Sequence, residues 1–141
     1  LGLGTLNEDR IGLAKPLTFM NASGMAIVHL RERFQLPLDK MLFICDDTNL
    51  PLGRIRLRRG GSDGGHRGLG SVIHHLASED FPRLRLGLGS SPEDKDLVTF
   101  VLEEFLPEEE PQATEMIHWA SEAALCFFRE GIDAAMNRFN G

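Results

Sequence analysis

The sequence predicts an α/β domain, and three patterns support this prediction. An apolar run over residues 42–45 is typical of a buried strand. Two further runs, residues 53–59 and 81–89, alternate arginine with leucine or isoleucine, the period of two expected of strands with one polar and one apolar face. Between these two runs, apolar side chains recur at the helical spacing i, i+3, i+4 and i+7, at Leu69, Val72, Ile73 and Leu76.

Two acidic residues end the first of these strands. Asp46 and Asp47 directly follow the apolar run, and open α/β sheets bind their ligands at the carboxyl ends of strands. We therefore expect Asp46 and Asp47 at a ligand-binding edge. The next strand presents arginines on one face, which can meet an anion while the other face packs.

A glycine-rich loop, residues 60–68, follows this arginine strand and opens onto the predicted helix. A helix N-terminus offers free backbone N–H groups and the positive end of the helix dipole, which suit a phosphate or a developing oxyanion. Glycines also serve simply to turn a chain. The loop becomes a candidate site because strand-end carboxylates, arginines and glycines share residues 42–68.

The remaining elements follow from the same periodicities. Residues 10–15 predict a strand before Pro16, residues 22–34 a helix with Asn21 or Ser23 as its cap, and residues 96–105 a short helix. One long helix is predicted from Pro107 to the end of the chain. The strand at residues 81–89 is expected to pair beside the first arginine strand.

Composition narrows the class of protein. The 141 residues suffice for one domain, and no apolar run reaches the roughly 20 residues that a membrane span needs. Residues 1–89 carry a charge of +3 and residues 90–141 a charge of −9, so the candidate site lies in the basic part. Cys45 and Cys126 lie in apolar contexts typical of reduced thiols, which favours the cytoplasm or an organelle matrix, and the cytoplasm is the expected location. No metal-binding spacing occurs, so neither a metal nor a cofactor is expected.

Ordered motifs over residues 11–89 resemble those of the bacterial-type peptidyl-tRNA hydrolases. Residues 15–24 match the family's Lys-Pro-x-Thr-aromatic-Met-Asn-x-Ser-Gly signature, and residues 46–53 match its Asp-x-x-x-Leu-Pro-x-Gly signature. Residues 60–69 match its glycine-rich Gly-Gly-His-x-Gly-Leu motif, and residues 81–89 its Arg-Leu-Arg-x-Gly-x-Gly strand. The resemblance implies a single α/β domain over residues 1–141 with a mixed, twisted sheet flanked by helices.

The resemblance also implies an activity, the hydrolysis of the ester that joins a peptide to the 3′ end of a tRNA, by a monomer. In the family pattern an aspartate holds the histidine that acts as general base, and Asp46 matches that aspartate. A carboxylate suits this role because it fixes the imidazole tautomer and stabilises its charged form. The other matching positions are implied to bind substrate: Phe19, Met20, Asn21, Gly64, Gly65, His66 and Arg67.

Two departures from the family pattern leave an alternative open. The opening strand of the family, with its Gly-Asn-Pro-Gly and Thr-Arg-His-Asn motifs, is not found in residues 1–141, so the domain is expected to be incomplete at its N-terminus. Arg67 stands where the family has asparagine, and an arginine cannot accept a hydrogen bond. The alternative is a noncatalytic RNA-binding relative, like an organelle splicing factor. Nucleotide binding at the glycine-rich loop is a weaker third reading, because the loop lacks a P-loop ending.

Overall fold

The computed structural model describes residues 1–141 as five strands and five α-helices. The strands are β1 (Gly2–Leu6), β2 (Asp9–Leu13), β3 (Phe43–Asp47), β4 (Ile55–Arg58) and β5 (Arg83–Gly87). The helices are α1 (Ser23–Phe34), α2 (Arg67–Leu76), α3 (Leu97–Leu102), α4 (Glu110–Glu130) and α5 (Ile132–Phe139). Two 3₁₀ turns, Met20–Ala22 and Leu38–Lys40, precede α1 and β3 respectively.

Strands β3, β4 and β5 form a mixed sheet in the order β3-β5-β4. The central strand β5 is parallel to β3 and antiparallel to β4. The predicted pairing of the two arginine strands is therefore confirmed, with Arg56 opposite Arg85 and Arg58 opposite Arg83. Strands β1 and β2 form a separate antiparallel hairpin.

Helices cover both faces of the three-stranded sheet. The apolar face packs against α4 and α5, which bury Ile55, Leu57 and Leu84 together with Met116, Phe127 and other helix residues. The opposite face packs against α2, whose Leu69 and Val72 are buried with Phe81, and Phe43 and Cys45 lie against them. Helix α1 packs on α2. The sequence-based prediction of an α/β domain with a mixed sheet flanked by helices is confirmed.

Three element predictions need correction. The long C-terminal helix is two helices, because Gly131 adopts a φ of 93° and ends α4 before α5 begins. The short helix predicted over residues 96–105 covers only Leu97–Leu102, and the Asp96 side chain caps it. Strand β3 is not a buried strand: it lies at the edge of the three-stranded sheet, and Ile44 is 57% exposed.

None of the helices combines the length and the apolar character that a membrane-spanning segment needs.

Candidate functional site

The carboxyl end of β3 carries two aspartates with different surroundings. The Asp47 side chain is buried, 2.7 Å from Nη2 of Arg85, and its Oδ1 accepts a hydrogen bond from the Asn49 N–H. Asp47 is therefore committed to internal contacts. The Asp46 side chain is 39% exposed. Asp46 is the carboxylate of this pair that can meet a substrate.

The glycine-rich loop arrives beside Asp46 in a tight turn. Gly64 and Gly65 have φ values of 57° and 86°, a backbone region that favours glycine. Oδ1 of Asp63 accepts a hydrogen bond from the Gly65 N–H at 2.8 Å, and the amide of Asn49 donates to the Gly64 carbonyl at 3.4 Å. The loop is thus tied to its own turn and to the segment after β3, and it leads directly into α2.

His66 joins the end of β3 to the start of α2. Its Nε2 lies 3.0 Å from Oδ1 of Asp46, and its Nδ1 accepts a hydrogen bond from the Leu69 N–H at 3.2 Å. The imidazole is therefore the N-cap of α2. Because Nδ1 accepts, the neutral ring carries its proton on Nε2 and donates it to Asp46. Both ring nitrogens are occupied, so His66 holds Asp46 in place and has no free nitrogen to take a proton from water.

The contact between His66 and Asp46 shifts both pKa values. The hydrogen bond from His66 lowers the pKa of Asp46 below its ordinary value, and the hydrogen bond to Asp46 raises the pKa of His66. Burial raises the pKa of the neighbouring Cys45 to about 12. The Cys45 thiol therefore stays protonated at neutral pH and is not a nucleophile.

The Met-Asn signature lies on the 3₁₀ turn that packs against α2. A Cβ added at Gly68 would lie 2.5 Å from Sδ of Met20 and 2.9 Å from Cε1 of His66, so Met20 and the His66 ring both lie close to Gly68. Asn21 is exposed and caps no helix, because α1 begins at Ser23 with Ala22 as its cap residue. The prediction of Asn21 or Ser23 as the helix cap was wrong.

The structure therefore brings most of the predicted site residues to one region. Asp46 and His66 are in contact, Gly64 and Gly65 lie in the loop just before His66, and Met20 lies beside Gly68 on the first turn of α2. The side chains of Phe19 and Asn21, beside Met20, and of Arg67, the first residue of α2, are exposed there. Two cavities of about 440 Å³ lie elsewhere, one between α1 and α2 and one between α4 and α5. No predicted site residue lines either of these two cavities.

The arginine face is less available to an anion than the sequence predicts. Arg83 is 1% exposed, and Arg85 is paired with Asp47. Arg54 is exposed, whereas Arg56 and Arg58 are half-buried. None of these three arginines forms an ion pair. The N–H at Nε of Arg56 is buried without a protein acceptor. An anion can therefore meet Arg54, Arg56 and Arg58 but not Arg83.

Two residues that support the site were missed in the sequence. The Oγ of Ser71 accepts a hydrogen bond from the Gly24 N–H, which fixes the start of α1 on α2, and Arg83 donates to the carbonyl of Ser62 in the glycine-rich loop. No local sequence pattern marks Ser71. The position of Arg83 in an alternating strand predicted an exposed cation.

The model of the family described as peptidyl-tRNA hydrolase matches residues 1–141. The chain belongs to the peptidyl-tRNA hydrolase family. A peptidyl-tRNA hydrolase from Desulforudis audaxviator is 49% identical over 140 residues, which cover 99% of this chain and 70% of the relative. One from Caldanaerobacter subterraneus is 45% identical over 141 residues, which cover all of this chain and 76% of the relative.

Solved structures of the peptidyl-tRNA hydrolase family share the fold. The crystal structure of peptidyl-tRNA hydrolase from Acinetobacter baumannii superposes with a TM-score of 0.89 at 28% sequence identity, covering 99% of this chain and 71% of that chain. The resemblance identified from the four motifs is thus confirmed along the whole chain, including the helices after residue 89 that carry no motif.

Proposed function

We propose that this protein hydrolyses the ester that joins a peptide to the 3′ end of a tRNA. Membership in the peptidyl-tRNA hydrolase family supports the reaction. The observation that carries the proposal to particular residues is the hydrogen bond between His66 and Asp46, which joins the glycine-rich loop to the end of β3 beside the Met-Asn turn. In this proposal the Asp46 carboxylate, the Asn21 amide and the N-terminus of α2 act together on one substrate.

We assign to Asp46 the role of holding and polarising the proton-accepting group. Its lowered pKa keeps it ionised at neutral pH and makes it a weak base, so it is better suited to orient an imidazole than to deprotonate water. One of its oxygens, Oδ1, is used by His66. Its second oxygen is then left for the catalytic imidazole, whose positive charge the carboxylate would stabilise.

We assign Asn21 and the N-terminus of α2 to the acyl ester. An exposed amide can hydrogen-bond the ester or the terminal ribose, and N–H groups at a helix start can stabilise the oxyanion of a tetrahedral intermediate. Gly64 and Gly65 let the backbone approach the substrate closely because they lack a Cβ. Phe19 and Met20, 87% and 56% exposed, offer apolar surface to the terminal base of the tRNA.

We assign Arg67 and the accessible part of the arginine face to the tRNA backbone. Arg54, Arg56 and Arg58 lie in or next to β4, in the part of the chain that carries net positive charge. Guanidinium groups bind phosphate oxygens through paired N–H donors and fix the register of a nucleic acid. Arg67, at the position where the family has asparagine, adds a cation at the start of α2.

The test is the cleavage of a peptidyl-tRNA. The resemblance implies that a histidine of the opening motif takes the proton from water, so the assay compares the 141-residue chain with a chimera that carries the opening residues of the Desulforudis audaxviator relative. We expect the chimera to release the peptide, and its Asp46→Asn variant to be slower by about 10²- to 10⁴-fold, the usual contribution of a group in general acid–base catalysis. A D46N chimera as fast as its parent would contradict the role of Asp46.

The same assay tests the alternative, a noncatalytic RNA-binding relative. If the chimera binds structured RNA that has no acceptor end as tightly as tRNA and cleaves no ester, the alternative replaces the hydrolase. The occupied ring nitrogens of His66 are compatible with either function, because they support a structural role for this imidazole in both cases.

Four expectations from the sequence stay predictions. We infer that the protein works in the cytoplasm, where its tRNA substrate is used, and that it acts as a monomer without a metal or a cofactor. The two free cysteines, one buried and one half-buried, fit a reducing compartment. The division of the chain into one domain likewise remains a prediction.

A further inference from the structure

Arg83, the first residue of β5, is a buried cation without a carboxylate partner. Its side chain is among the most completely buried in the protein, at 1% exposure. None of the ion pairs in the structure includes it. Burying an unpaired charge is costly unless hydrogen bonds replace its hydration. The hydrogen bonds of Arg83 therefore indicate which part of the structure this buried side chain supports.

The guanidinium of Arg83 donates to three backbone carbonyls. Nη1 donates to Ser62 at 2.9 Å, Nη2 to Glu79 at 2.9 Å, and Nε to Phe81 at 3.4 Å. Its Cζ also lies 4.3 Å from the centre of the Phe81 ring, a cation–π contact. The planar fork of arginine can serve two carbonyls at once in a fixed geometry, which the single ammonium of a lysine cannot do.

These bonds join the glycine-rich loop to the segment before β5. Ser62 lies in the loop, whereas Glu79 and Phe81 precede the strand. The Gly61 N–H also donates to the Glu79 carbonyl at 3.2 Å, and a Cβ at Gly60 would lie 2.7 Å from that same oxygen. The start of the loop is thus held tightly against the protein, with Arg83 as its side-chain anchor.

Hydrogen bonds within a short turn connect Ser62, the residue held by Arg83, to His66 in the candidate site. The Asp63 carbonyl accepts a hydrogen bond from the His66 N–H at 2.9 Å, and Oδ1 of Asp63 accepts one from the Gly65 N–H at 2.8 Å. These two hydrogen bonds close the turn from Asp63 to His66, and Ser62 directly precedes that turn. The location of the Ser62 carbonyl consequently sets where the His66 ring meets Asp46.

We propose that Arg83 is a positioning residue of this site: through the Ser62 carbonyl it fixes the glycine-rich loop so that the His66 imidazole reaches Asp46. Arg83 itself does not touch the substrate, because it is buried. The effect on hydrolysis rests on the proposed function, in which Asp46 is required. The effect on His66 does not, since it concerns only the geometry of the loop.

The test compares Arg83→Met and Arg83→Lys with the parent protein by ¹⁵N NMR of the His66 ring during a pH titration. In the parent we expect a titration midpoint above the ordinary histidine value of about 6.5 and a neutral ring protonated at Nε2. In R83M we expect the midpoint to fall toward the ordinary value and the two neutral tautomers to mix. R83K keeps the charge but not the forked guanidinium, so its His66 titration midpoint should lie between those of the parent and R83M. In the chimera, R83M should lower kcat by about 10- to 100-fold with a smaller change in KM.

The control is Asn140→Ala, which removes two hydrogen bonds to Leu57 on β4, away from the loop. It should destabilise the protein and leave the His66 titration unchanged. The proposal is overturned if folded R83M and R83K titrate like the parent, or if N140A shifts His66 as much as they do. It is also overturned if neither arginine variant folds, since Arg83 would then support the whole sheet. If R83M loses the His66 shift as expected but the parent chimera shows no measurable hydrolysis, the proposed function is refuted and the positioning role of Arg83 is not.

Discussion

The backbone N–H of Gly24 donates a 2.9 Å hydrogen bond to Oγ of Ser71. This bond brings the first turn of α1 onto the middle of α2, and a Cβ at Gly24 would overlap the Ser71 carbonyl. Because Asn21 lies on the 3₁₀ turn just before α1, the approach of Gly24 to Ser71 also sets where Asn21 stands relative to His66 at the start of α2. The contact between α1 and α2 thus helps to position the Met-Asn turn next to the start of α2.

Gly24→Ala should separate the two helices. The added methyl has no room against backbone, so we expect a loss of about 1–3 kcal/mol in the free energy of unfolding, the usual cost of overpacking. Denaturant unfolding measures this change. The control is Gly4→Ala, in β1, where a Cβ would meet nothing within 4 Å. Equal stability of the G24A and G4A proteins would show that α1 is not held at this contact.

His66 can be separated into its two roles by two substitutions. His66→Asn keeps a side chain that is favoured at helix N-caps but gives up the imidazole contact with Asp46, whereas His66→Ala loses both. We expect H66A to be less stable than H66N by about 1 kcal/mol, the typical value of a cap. Thermal or denaturant unfolding of the pair provides the comparison.

The matched control for His66 is His74→Ala on the exposed side of the same helix. H74A should not lower the free energy of unfolding through loss of a cap, although alanine changes the intrinsic helix propensity slightly. If H66A and H66N were equally stable, the hydrogen bond from Leu69 to the His66 ring would contribute nothing to α2.

The pair of Asp46 and His66 should make stability depend on pH within a defined window. The lowered pKa of Asp46 contributes stability above its unfolded value of about 3.9, and this contribution is lost as pH falls through the folded pKa. The raised pKa of His66 contributes stability below about 6.5, and this contribution is lost as pH rises through the folded pKa. The pair therefore stabilises the fold most between about pH 4 and 6.5.

Asp46→Asn tests this window. Because the Asp46 side chain is 39% exposed and solvent screens the pair, its removal should cost at most about 1 kcal/mol. Protonating His66 also gives up the bond from the Leu69 N–H, which further limits the gain. The control is Asp39→Asn, an exposed carboxylate outside every ion pair. A D46N cost that is the same at pH 5 and pH 8 would contradict the charged pair.

Arg56→Gln should weaken tRNA binding through electrostatics alone. If Arg56 contacts a phosphate, its loss reduces the slope of log K against log salt concentration by about 1 and weakens binding similarly for different sequences. Binding isotherms at several salt concentrations give the slope. Arg129→Gln, the same change on the exposed surface of α4, should leave the slope unchanged, and an equal effect of the two substitutions would locate the tRNA elsewhere.

Local sequence patterns predicted β2, β3, β4 and β5, the pairing of β4 with β5 and the helix after the glycine-rich loop, but they did not predict β1. The family motifs also marked both Asp46 and His66 as site residues. It could not show that His66 caps α2, since histidine is not among the favoured N-cap residues. Gly131, by contrast, carried a readable signal, because glycine is common where helices end.

Burial of the arginines could not be predicted from alternation. Alternation assigns Arg83 and Arg85 to the polar face of β5, but the same face is covered by α2 and by the glycine-rich loop folding back on the sheet. Which arginine is buried depends on where a distant loop crosses the strand. That information lies in contacts between Ser62 and Arg83, 21 positions apart, and in no short pattern.

The most direct measurement of the central claim is an NMR titration of the ¹⁵N-labelled protein with an RNA minihelix that ends in CCA, and with the same minihelix lacking those three nucleotides. We predict that the backbone amide signals of Asn21, Asp46 and Gly64 shift along one common binding curve, and that removing the CCA end abolishes these shifts. Shifts confined to the groove between α1 and α2, or separate curves for Asn21 and Gly64, would contradict a single site for the end of a tRNA.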